Sequence, residues 1–231
     1  MSALEWLAMV RHGESIGNVA WRAAETDRLD EIEVGLRDAD VPLSDTGRRQ
    51  AAALGRRLAA MPPGERPTAV YSSPYVRAAE TARIALAEIG DPPIRFDERL
   101  RDRETGVLFA LTARGIAARY PEEAARKRLT GKFYYRPPGG ESWADVALRL
   151  RSVLSDIERD HPDGRVLVVA HDAVVTLTRY IVERLTEQQV LQIERTLVPN
   201  ASLTMWARQD GELGLVAFNN TEHLDADGLP V

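Results

Sequence analysis

A chain of 231 residues, 44% hydrophobic and 28% charged, has the make-up of an ordinary globular protein and is long enough to bury a sizeable core. It holds no cysteine, which excludes disulfides, thiolate nucleophiles and thiolate metal sites, and its net charge of −5 argues against nucleic acid as a partner. No run of about 18 apolar residues offers a membrane span, and Glu5 with no basic flank argues against a secretory leader, so the cytoplasm is the expected compartment.

The first apolar stretch, Leu4 to Val10, has strand length and runs into Arg11-His12-Gly13-Glu14-Ser15. A strand ending this way puts a cation, an imidazole and a glycine at the carboxyl edge of a sheet, where open α/β sheets bind ligands. Arg11 offers a fork of donors suited to phosphate oxygens, and His12 can attack phosphorus as a neutral imidazole once its other nitrogen is pinned. Gly13 would let the backbone approach a bound anion. Such residues can equally fall at a strand end without function, so the rest of the chain decides.

Ser15 to Ala24 can begin a helix, with Asn18 one turn beyond Glu14, and residues 26–40 are charged and aperiodic, as a loop near the mouth of a site would be. Ser44 then caps a helix carrying Ala51, Leu54, Leu58 and Met61, which Pro62-Pro63-Gly64 stops. Thr68 to Ser72 reads as a second strand, and Ser73-Pro74-Tyr75 turns it into a helix with Arg77 in the opening turn, where backbone amides also favour anions. Ile94 to Phe96 is a third strand, leading into Leu100-Arg101-Asp102-Arg103-Glu104-Thr105-Gly106.

Residues 107–141 read as a cap insertion, with one helical stretch from Ile116 to Arg128 and an aromatic-basic run, Lys132-Phe133-Tyr134-Tyr135-Arg136. A long helix follows Gly140-Glu141-Ser142, and Val166 to Ala170, the strongest buried strand, ends at His171-Asp172. Val174 to Leu185 and Glu187 to Arg195 are helical, Ser202 to Ala207 and Leu213 to Phe218 are strands around Asp210-Gly211, and the polar tail from His223 is expected to fray. This alternation predicts one α/β domain over residues 1–231, a three-layer sandwich whose mainly parallel sheet carries helices on both faces. Lysine occurs only at Lys127 and Lys132, so the many arginines count only where they fall in motifs.

Four pieces in this order carry a family resemblance. They are Arg11-His12-Gly13-Glu14-Ser15 with Asn18; Pro42-Leu43-Ser44 with Gly47 and Gln50-Ala51; Ser72-Ser73-Pro74 with Arg77, Ala78 and Thr81-Ala82; and His171 after a buried strand. The pattern resembles the small branch of the histidine phosphatase, or phosphoglycerate-mutase-like, superfamily. The resemblance implies hydrolysis of small phosphorylated metabolites through a phosphohistidine on His12. Arg11, Arg77 and His171 would surround the phosphoryl oxygens and Asn18 would add a donor. Those groups would supply the charge that a metal supplies elsewhere, so neither metal nor cofactor is expected, and no two of the four histidines stand at helical ligand spacing.

The family places its general acid between a leucine and a glycine such as Leu100 and Gly106, which implies Asp102. Glu104 is the alternative two residues on, and Asp172 is a third, since a His-Asp pair carries the acid in the acid-phosphatase branch. The cap segment resembles the fructose-2,6-bisphosphatase group, in which basic residues here bind the far end of the substrate; Lys127, Lys132 and Arg136 would be their counterparts. Ala113 stands where that group has a tyrosine, which speaks against fructose 2,6-bisphosphate itself. A phosphoglycerate mutase is the competing enzyme, although Ile16-Gly17-Asn18-Val19 lacks the Trp-Asn of the mutase pattern, and a phospho-ligand-binding module without turnover is the competing non-enzyme.

Overall fold

The computed structural model describes residues 4–230. In chain order it forms β1 (Trp6–Arg11), α1 (Ile16–Thr26), α2 (Asp45–Ala60), β2 (Ala69–Ser72), α3 (Val76–Ala87) and β3 (Ile94–Phe96). There follow α4 (Ala113–Arg119), α5 (Pro121–Thr130), α6 (Trp143–Asp160), β4 (Arg165–Ala170), α7 (Asp172–Val182), α8 (Glu187–Ile193), β5 (Leu203–Gln209), β6 (Glu212–Asn220) and α9 (Glu222–Asp225).

The strands make one sheet of order β3-β2-β4-β1-β5-β6, parallel from β3 to β1 and antiparallel through β5 and β6. Side chains alternate across it, so Trp6, Ala8 and Val10 of β1 join Leu54, Leu58, Ala78 and Ala82 of α2 and α3. Leu7 and Met9 instead join Val146, Leu150, Val174 and Leu177 of α6 and α7 on the other face. A strand buried on both sides must be apolar throughout, which is why β1 and β4 stand out in the sequence. The expected three layers and mainly parallel sheet are therefore present.

Two expectations fail. The single helix from Ile116 to Arg128 is two, because Pro121 has no N–H to continue the first and opens the second at its N-terminus. The tail does not fray: α9 buries His223 and Leu224, with Leu224 packed against Ala53 and Ala201. Gln50 binds it further, donating to Pro230 O (2.8 Å) while accepting from Glu14 N–H (2.8 Å), so the tail is tied to the loop after β1. We expect Leu224→Ala to cost about 2–5 kcal/mol by emptying this cluster, read as a lower denaturant midpoint at unchanged m-value.

Candidate active site

β1 and β4 are paired in register, Arg11 opposite Ala170, so the residues after them leave the sheet side by side. His12 and His171 consequently meet edge to face, ring centroids 5.2 Å apart. His12 Nδ1 lies 2.7 Å from Gly13 O, and since a carbonyl only accepts, Nδ1 carries the proton. Nε2 is left as the basic nitrogen and accepts from Arg77 Nε at 3.2 Å. Burial, with Arg77, His171 and Arg11 nearby, holds the His12 pKa well below the usual histidine value, so the ring is neutral at pH 7.

His171 is completely buried. Its Nε2 is 2.9 Å from Ser73 Oγ, which itself accepts the Tyr75 N–H at 3.2 Å. Nδ1 is 3.4 Å from Asp102 Oδ2 but makes no hydrogen bond. Burial and the charges of Arg77, Arg11 and Arg149 keep this ring neutral too. The turn Ser73-Pro74-Tyr75 thus does two jobs: it supports His171 and launches α3 with Arg77 pointing back at His12.

Arg77 is buried with all three of its nitrogens engaged. Nε meets His12, NH1 donates to Asp38 O (2.6 Å) and lies 3.0 Å from Asp38 Oδ1, and NH2 donates to Asp102 Oδ2 (3.0 Å). Arg11 donates through NH1 to Val198 O, and its Nε is buried with no partner among the described residues. Asn18 closes a capping box with Ser15 at the start of α1. Its Oδ1 accepts from Ser15 N–H (3.0 Å) and Asn200 Nδ2 (3.1 Å), which leaves its own Nδ2 as the donor for an occupant of the cavity it lines.

That cavity, about 220 Å³, is lined by the polar Arg11, His12, Asn18, Arg77 and Asp102 together with the apolar Trp21, Val34 and Phe109. A second cavity of about 450 Å³ adjoins it through Asp38, Asp102 and Asp172 and carries Arg103, Lys132 and Glu194. Together they form a small pocket opening into a larger one, each lined by charges of both signs. Among the described residues no three His, Asp or Glu side chains are grouped to hold a metal ion.

The sequence-based site residues divide accordingly. His12, Arg11, Arg77, Asn18, Asp102 and His171 come together. Asp172, first residue of α7, lines both cavities while Oδ1 accepts from Ala173 N–H (2.6 Å). Lys132 lines the larger cavity, paired with Glu194 over the Trp143 ring, and Lys127 lies near enough to Lys132 and Arg103 for burial and their charges to lower its pKa.

Three residues are not where they were expected. Glu104 accepts from Tyr75 OH at 2.6 Å and lines neither cavity, its carboxylate being held on the tyrosine. Arg136 points to solvent and pairs with Asp145, the carboxylate that caps α6. Gly13 spends its N–H on Thr81 Oγ1 (3.0 Å), and a Cβ there would lie 2.5 Å from Gly47 O, so α2 and not an anion requires the glycine.

Asp38, Arg103 and Asn200 were missed. Asn200, from Pro199-Asn200-Ala201 just before β5, donates through Nδ2 to His12 O (3.0 Å) as well as to Asn18. An asparagine at the entry to a strand is its one sequence signal. Arg103 lay beside Asp102 in plain view but carried no motif.

The sequence model of the histidine phosphatase superfamily (branch 1) matches residues 7–221. The chain is 34% identical over 195 residues to a 2,3-bisphosphoglycerate-dependent phosphoglycerate mutase 2 of Gloeobacter violaceus, covering 81% of this chain and 80% of the relative. It is 31% identical over 223 residues to a metal-independent phosphoserine phosphatase of Arabidopsis thaliana, covering 96% and 84%. Among solved structures, a mycobacterial glucosyl-3-phosphoglycerate phosphatase superposes with a TM-score of 0.74 at 27% identity, covering 94% of this chain and 99% of that one.

Proposed function

The chain belongs to branch 1 of the histidine phosphatase superfamily, and from that premise we propose that it is a metal-independent phosphomonoester hydrolase of small phosphorylated metabolites. The observation that carries this most is the His12 tautomer, which holds Nδ1–H on Gly13 O and leaves the Nε2 lone pair as the attacking group.

In the proposed cycle Nε2 attacks phosphorus in line while the bond to the leaving oxygen breaks. Asp102 gives that oxygen a proton, so an alcohol departs and a phosphohistidine remains. Asp102, now a carboxylate, takes a proton from water as its oxygen attacks phosphorus, the N–P bond breaks, and phosphate and neutral His12 result. Arg11, Arg77, His171 and Asn18 stabilise the charge on the three equatorial oxygens. Arg77 NH2 is bound to Asp102; a phosphoryl oxygen taking that donor would free Asp102 to face the leaving group.

In the larger cavity Arg103 and Lys132 favour substrates with a second negative group. We expect Lys132→Ala to raise KM about tenfold for such substrates and to change KM for nitrophenyl phosphate much less. Equal changes would mean that Lys132 only pairs with Glu194. We place the enzyme in the cytoplasm, and its acidic net charge speaks against a nucleic-acid partner; among the described residues no helix is long and apolar enough to cross a membrane. A screen of phosphorylated metabolites with and without EDTA tests the assignment. Phosphate release at equal rates supports it, whereas interconversion of 2- and 3-phosphoglycerate without release would make the protein a mutase.

A further inference from the structure

Asp38 lies in a stretch with no periodicity and no motif, yet it touches the centre of the site. It opens a short 3-10 turn (Asp38–Asp40) that Arg37 braces by gripping Asp40 through Nε (2.6 Å) and NH2 (3.0 Å). The following residues are anchored against α3: Val41 and Leu43 are buried, and Leu43 N–H donates to Glu80 Oε2 at 2.8 Å. A held turn therefore presents two acceptors, Asp38 O and Oδ1, to one nitrogen of Arg77.

A guanidinium is a rigid plane, so fixing NH1 fixes where Nε and NH2 point. NH1 itself meets neither His12 nor Asp102. Nε meets the His12 nitrogen, and NH2 meets Asp102, the partner that a phosphoryl oxygen would replace. Asp38 can thus keep its hold through every step in which Asp102 lets go. Its carboxylate lines both cavities and adds a negative charge where a phosphate must enter. That crowding shows in its pKa, which burial raises first, with Asp102 and Glu104 adding to the rise and Arg77 opposing it.

Resting on the phosphatase assignment above, we propose that Asp38 is a positioning residue that sets the orientation of Arg77 toward His12 and, through its charge, weakens binding of the phosphate product. The two roles separate by substitution. Asp38→Ala removes the side-chain hold and the charge; Asp38→Asn keeps an Oδ1 acceptor for NH1 and removes only the charge.

The test measures kcat on nitrophenyl phosphate and the inhibition constant of orthovanadate for the wild type and both variants. Asp38→Ala is expected to lower kcat roughly 10–100-fold through a misaligned Arg77. Asp38→Asn is expected to recover most of that kcat and to bind vanadate on the order of tenfold more tightly, as loss of one like charge at close range implies. An Asn variant as slow as the Ala variant, or one with unchanged vanadate inhibition, overturns the proposal, and so does a wild-type kcat in Asp38→Ala. Should Asp38→Ala not fold, the vanadate constant and kcat of Asp38→Asn decide alone. Wild-type protein that neither hydrolyses the ester nor binds vanadate would instead bring down the phosphatase assignment, and this proposal with it.

Discussion

His12→Ala should lower kcat by roughly 10⁴–10⁶-fold, the largest single-residue effect expected in this protein. Among the described residues no other side chain lining the small cavity presents an unprotonated nitrogen: both arginines are donors only, and the Nε2 of His171 is engaged with Ser73 Oγ. The fold should survive, because the main-chain bonds that seat this residue, His12 N–H to Ala170 O and Ala201 N–H to His12 O, do not involve the imidazole. Brief mixing of wild-type enzyme with a radiolabelled phosphoester, followed by quenching in base, should trap a label that acid removes. The variant should trap none. A variant that still turns over, or a wild type with no acid-labile label, would falsify the nucleophile assignment.

The second large effect concerns the leaving group. Asp102 Oδ2 sits 3.0 Å from Arg77 NH2 and 3.4 Å from His171 Nδ1, at the boundary shared by the two cavities. A carboxyl group there can reach an oxygen that leaves the small cavity for the large one. Asp102→Asn should therefore slow hydrolysis of alkyl phosphates about 10²–10⁴-fold. Nitrophenyl phosphate, whose leaving group needs no proton, should lose far less. Glu104→Gln should mainly disturb the bond to Tyr75 OH and change both substrates alike by a small factor. Asp172→Asn is the informative control, since Asp172 also faces both cavities; a larger loss there than at Asp102 would move the proton donor onto α7.

What the sequence made legible follows from the range of the forces involved. His12 and His171 could be read because each ends a run whose burial on both sheet faces leaves an unmistakable apolar signature. Arg77 could be read because Pro74 and the helix start lie within a few residues of it. Asp38 could not, since its meeting with Arg77 depends on how residues 26–43 lie across α3, and no local periodicity encodes that path. Gly13 was legible as a required glycine but for the wrong reason: the constraint comes from Gly47, on an element that only the folded chain brings near. Arg136 and the tail misled in opposite senses. A cation beside aromatics looked like a binding residue and is a surface partner of Asp145, whereas a polar tail hid Leu224, which docks it with Leu229 packed alongside.

The position of β1 in the sheet also bears on how the protein is made. Of the six strands, the one translated before the others lies between two of the later ones: Trp6 pairs with Arg165 on one side and with Ala207 on the other. Until about residue 209 has emerged, the strand that leads to His12 lacks its β5 neighbour and so has an unsatisfied edge. At ordinary elongation rates that wait lasts roughly 10–40 s. Closing such distant pairs is slow for entropic reasons as well. The nascent chain thus stays open to mispairing in the very segment that leads to the proposed nucleophile, and His12 meets His171 only long after His12 itself has been translated.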